Sequence, residues 1–75
     1  LSDKLLIFPN PSSGLLNFNK TLNNEKIQVF SLKGDKILDK KVINSNSLKL
    51  DLESGVYLLK ISNNSRVVNS KIIIK

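Results

Sequence analysis

Leu48-Lys49-Leu50-Asp51-Leu52-Glu53-Ser54-Gly55-Val56-Tyr57-Leu58-Leu59-Lys60-Ile61-Ser62 holds the same rhythm twice, broken once in the middle. Leu48, Leu50 and Leu52 alternate with Ser47, Lys49, Asp51 and Glu53. After the Ser54-Gly55 interruption, Tyr57, Leu59 and Ile61 alternate with Lys60 and Ser62. A period of two places the apolar set on one side of an extended chain and the polar set on the other, as a half-buried strand requires. Glycine and serine between the runs supply turn chemistry, so the segment predicts two strands joined by a tight connection.

The same reading extends outward in both directions. Turn residues recur at Pro9-Asn10-Pro11-Ser12-Ser13-Gly14, Asn23-Asn24, Lys33-Gly34-Asp35, Asn44-Ser45-Asn46 and Asn63-Asn64-Ser65. Between them lie Leu5 to Phe8, Leu15 to Phe18, Lys26 to Leu32, Lys36 to Ile43, Leu48 to Leu52, Val56 to Ser62 and Arg66 to Ile74. Seven short strands at regular spacing predict a sandwich or barrel. In the third run Ile27 and Val29 share a face, and Phe30 and Leu32 make the other side apolar too, so this strand is expected to be central. No window keeps apolar residues at helical spacing for three turns.

At 75 residues there is room for one domain with a thin core, because a chain this short buries only roughly 60% of its unfolded surface. Cysteine and histidine are absent, which removes disulfides, Ser-His-Asp and Cys-His catalysis, and sulfur or nitrogen metal ligands. The six acids are scattered, and Asp35 in its glycine turn reads as turn chemistry rather than a calcium ligand. No glycine-rich phosphate loop is present. No catalytic residue, metal or cofactor is therefore expected.

The net charge of +6 comes from eleven lysines and Arg66. The lysines are spread through the chain and alternate with apolar residues, the pattern of solvent-facing strand positions rather than of a nucleic-acid groove. Arginine, the better bidentate phosphate ligand, is nearly missing. No apolar run reaches the roughly 20 residues that a spanning helix needs. The first residues hold neither a starting Met nor a signal-peptide core, so residues 1–75 read as a single unit excised from a longer protein.

The order of the turns and strands is more specific than any of them alone. An apolar strand ends in Phe8 and runs straight into Pro9-Asn10-Pro11-Ser12-Ser13-Gly14. Ile27-Gln28-Val29-Phe30-Ser31-Leu32-Lys33-Gly34 follows as a strand running into a glycine turn, then Leu50-Asp51-Leu52-Glu53-Ser54-Gly55-Val56-Tyr57, and last the closing Lys71-Ile72-Ile73-Ile74-Lys75. This series resembles the type IX secretion C-terminal sorting domain, whose members open on a Y-P-N-P-x-x-G-like motif. Phe8 stands where the family often has tyrosine, and Thr21 to Glu25 match nothing.

The resemblance implies an all-β, immunoglobulin-like sandwich of about seven antiparallel strands at the end of a secreted protein of a Bacteroidetes-type bacterium. It implies that the partners are the type IX outer-membrane machinery, a sortase-like protease and the N-terminal cargo of the same polypeptide. The cargo would travel through the periplasm to the cell surface or medium, with the domain removed at the outer membrane. The expected recognition residues are Phe8, Pro9, Asn10, Pro11, Gly14, Gly34, Gly55, Tyr57 and the closing Lys71, Ile72, Ile73, Ile74 and Lys75, in a monomer with no nucleic-acid partner. An adhesion or carbohydrate-binding sandwich shares the architecture, but it would display aromatic platforms, whereas here the four aromatics are expected in the core.

Overall fold

In the computed structural model, which describes residues 5–9 and 13–75, the chain forms seven strands. They are β1 (Ile7–Phe8), β2 (Leu15–Leu22), β3 (Glu25–Ser31), β4 (Lys36–Val42), β5 (Ser45–Lys49), β6 (Gly55–Ser62) and β7 (Val67–Ile74). One sheet has the order β1-β2-β5 and the other β4-β3-β6-β7, with every pairing antiparallel. In chain order this is the division of an immunoglobulin-like sandwich whose fourth strand lies beside the third. β3 sits between β4 and β6, as its two apolar faces predict, and β7 closes the order of the larger sheet.

Alternate residues from both sheets build the core. Leu16 and Phe18 of β2, Ile27 and Val29 of β3, Leu59 and Ile61 of β6, and Ile72 and Ile74 of β7 are all at most 3% exposed. Leu48 and Leu50 complete the floor. The slab is one residue deep from each sheet, so loss of any one of these side chains has no second layer to absorb it.

β1 is half its expected length, Ile7–Phe8, and two further strands depart from the sequence reading. β2 continues to Leu22, four residues past Phe18. Half-buried Lys20 takes an inward phase and interrupts the apolar alternation there, and the β2–β5 register slips between Asn17 and Leu22. β5 begins at Ser45, inside the expected turn, and its ladder ends at Lys49 although the leucine alternation runs on. The aromatics also divide: Phe18 is buried, but Phe8 is 47% exposed and Phe30 is half-buried on the outer side of β3.

Three of the turns explain the topology. β3 and β4 join through a hairpin in which Gly34 N–H donates to the Ser31 carbonyl at 3.0 Å and Ser31 N–H to the Asp35 carbonyl at 2.9 Å. Gly34, at φ +100°, occupies the left-handed position that this turn demands. The chain changes sheet after β2 and again after β4, and it does so through Asn24 (φ +76°) and Asn44 (φ +54°). Asparagine tolerates this region because its short amide bonds locally.

Candidate functional site

The register brings residues far apart in sequence to one end of the sandwich. Gly55 pairs with Ile74, and Tyr57 with both Ser31 and Ile72, so the start of β6, the end of β7 and the Gly34 hairpin lie together. On the other sheet Leu15 pairs with Lys49 and Phe8 with Asn17, which sets the end of β1 and the start of β2 near the end of β5. The short stretch from Leu50 to Gly55 ties the two sheets at this same end. Of the expected recognition residues, Phe8, Pro9, Gly14, Gly34, Gly55, Tyr57 and Lys71 to Lys75 therefore share one pole. Asn10 and Pro11 lie outside the described residues.

Gly14 is the joint between two of the motifs. Its carbonyl accepts the Leu50 N–H at 2.6 Å, one step beyond the β2–β5 ladder. The residue is buried at φ +119°, and a Cβ there would stand 2.7 Å from the Leu50 carbonyl oxygen. Only a residue with no side chain fits, because both the backbone angle and the space forbid a Cβ. The glycine that closes the proline loop is thus the one that lets the next motif dock.

Gly55 does something different. Its φ of +158° is positive, a conformation that L side chains rarely adopt, as expected of a glycine at this turn, but here the space beside it is taken by a side chain rather than by backbone. The Tyr57 ring lies over it, 3.7 to 3.9 Å from where a Cβ would be. From there the Tyr57 hydroxyl donates to the Glu53 carbonyl at 2.7 Å. A tyrosine near the start of the sixth strand bonded back to the preceding connection is the tyrosine corner of immunoglobulin-like sandwiches. Tyr57→Phe is expected to lower stability by about 1 kcal/mol, since one hydrogen bond is lost and the freed carbonyl is open to water. Thermal unfolding should show a midpoint several degrees lower.

The closing strand splits by side. Ile72 and Ile74 are 1% and 3% exposed and belong to the core, whereas Ile73 is 40% exposed and Lys71 and Lys75 face outward. Only the outward set can meet another molecule without unfolding the domain.

The opposite pole carries the asparagine turns, and its polar groups are used internally. Glu25 accepts the Asn23 N–H at 2.6 Å and the Asn63 side-chain amide at 3.0 Å, linking two turns. Asn63 Oδ1 in turn accepts the Ser65 and Arg66 N–H groups at 2.8 and 3.0 Å. On the outer face of the larger sheet, Lys36 Nζ donates to Asp39 at 2.8 Å, which holds the Asp39 carboxyl below the usual carboxylate range. No three of His, Cys, Asp or Glu gather into a metal-binding group among the described residues.

Sequence reasoning placed the motif glycines but missed both links, Gly14 to Leu50 and Tyr57 to Glu53. Neither leaves a trace in hydrophobic periodicity, because each is a contact to a backbone carbonyl. Residues 6–75 match the family model described as "Secretion system C-terminal sorting domain". No curated protein matches the chain.

Proposed function

Because the chain belongs to the family of secretion system C-terminal sorting domains and is a sorting signal of the type IX secretion system, we propose that its motif-bearing pole is what the machinery reads. A domain of this family interacts with that system, is attached to a cargo, and directs it across the outer membrane to the cell surface or medium. No helix of the described residues is long and apolar enough to cross a membrane.

The domain folds as a monomer behind its cargo, takes no part in chemistry and binds no nucleic acid. A sortase-like protease of the machinery removes it once the cargo has crossed. One observation carries this reading: four motif segments spread from Phe8 to Lys75 are gathered at one pole, while the other pole spends its polar groups on its own turns. Alternating antiparallel strands bring every second connection to that end, so all four motifs are presented together on one surface that a partner can meet at once. The adhesion alternative has nothing in its favour.

The test is a passenger with a signal peptide at its N-terminus and this chain at its C-terminus, expressed in a type IX-competent host. The passenger is expected at the cell surface or in the medium, separated from the domain. A fusion that stays in the periplasm with the domain folded would overturn the sorting role. A surface-exposed passenger that keeps the domain would overturn only its removal.

A further inference from the structure

An antiparallel sheet commonly has one face on the core and one in water, and the water face is polar. The outer face of the β4-β3-β6-β7 sheet follows this rule over only half its length. Register fixes which residues share each row. Lys36, Phe30, Leu58 and Lys71 lie across the four strands, and Val56 pairs with Ile73 in the next row toward the motif pole. Toward the asparagine pole the rows are polar apart from Val67 in the last of them, as with Gln28, Lys60 and Asn69. Val56, Leu58 and Ile73 are 36%, 43% and 40% exposed, and Phe30 fills the space beside them. The face also carries five lysines, Lys26, Lys36, Lys41, Lys60 and Lys71, against one carboxylate, Asp39.

We propose that this apolar half-face, seated on Phe30, Val56, Leu58 and Ile73, docks an outer-membrane export protein through an apolar surface rimmed by carboxylates. The inference rests on the sorting role and deepens it by naming the surface and the chemistry of the partner. Contiguous exposed apolar side chains with an aromatic among them mark a protein interface. The lysine excess selects an acidic rim through charge complementarity. The same excess argues against a second copy of this chain, since two such faces would bring lysine rows together. A lipid surface fits less well. Each of the apolar side chains is more than half covered by its neighbours, so a flat pleated face offers little to insert the 5–10 Å or so typical of membrane-surface segments.

The experiment uses the passenger fusion with three substitutions in the chain: Leu58→Glu, Leu58→Thr and, as a control in the polar half, Asn69→Glu. Thermal unfolding of each is measured alongside export. The wild type and Asn69→Glu are expected at the surface in equal amounts, and folded Leu58→Glu is expected at least tenfold lower. Leu58→Thr keeps a strand-forming residue and adds no charge, so it serves if the glutamate unfolds the domain, and a several-fold loss is expected.

Wild-type export from a folded Leu58→Glu or Leu58→Thr variant would overturn the docking surface and leave the sorting role standing. Equal loss in Asn69→Glu would also overturn it, since added negative charge anywhere would then suffice. If the wild-type chain co-sediments with protein-free vesicles of phosphatidylcholine and phosphatidylglycerol, and Leu58→Glu abolishes this, the partner is lipid and the proposal fails. Failure of the wild-type fusion itself would count against the sorting role rather than against this face.

Discussion

Gly14→Ala is expected to destabilise the fold more than the same substitution at any other motif glycine. The added Cβ would lie 2.7 Å from the Leu50 carbonyl oxygen, and that oxygen belongs to backbone, so no side chain can swing aside to relieve it. The φ of +119° adds a conformation that alanine occupies only with strain, of about 1–3 kcal/mol. Together these should exceed about 3 kcal/mol, since the collision also breaks the Leu50 to Gly14 hydrogen bond. A domain of 75 residues has about 4–11 kcal/mol in all, so the loss takes much of it. Gly34→Ala supplies the comparison. Its φ is +100° but nothing lies within 4 Å of the new atom, so it should cost only the backbone strain. Denaturant titration of the two variants separates collision from strain. Equal midpoints would show that the approach of Gly14 to Leu50 relaxes without cost.

Deletion of Lys71 to Lys75 should abolish export, and the reason is first of all folding. The deletion removes Ile72 and Ile74 from the core and four β6–β7 residue pairs with them. Truncating a buried isoleucine costs about 2–5 kcal/mol, so losing two approaches the whole stability of the domain. Circular dichroism of the truncated chain should lose its strand signal. Lys71→Glu combined with Lys75→Glu is the sharper variant, because it keeps both buried isoleucines and changes only what faces outward. It should unfold within a few degrees of the wild type yet deliver several-fold less passenger. Full export of this variant would clear the closing lysines of any part in recognition. A truncation that stays folded would show that the end of β7 is dispensable to the core.

Much of this fold can be read from residue order because strand periodicity and burial coincide in most of it. Leu48 and Leu50 show where they part. The alternation reports that Leu50 and Leu52 turn inward, and they do, but the backbone has already left the β5 ladder at Lys49. Hydrophobic pattern specifies which side chains are covered, not which backbone groups are paired. Lys20 is the opposite case: a lysine can cover apolar surface with its stem while its ammonium stays wet, so a strand continues where the pattern says it stops. The pole was legible only as a series of motifs. Their meeting depends on register, and register is set by hairpin geometry and long-range pairing that no local window contains.

Tyr57 also has an optical meaning. The chain contains no tryptophan and one tyrosine, and that ring is fixed over Gly55 with its hydroxyl on the Glu53 carbonyl. Nearly all ultraviolet emission from the domain therefore originates at a single corner between the two sheets. A change in that emission reports on this corner alone, so the domain carries its own label for whether the end bearing its motifs is intact, in isolation or behind a passenger without fluorophores of its own.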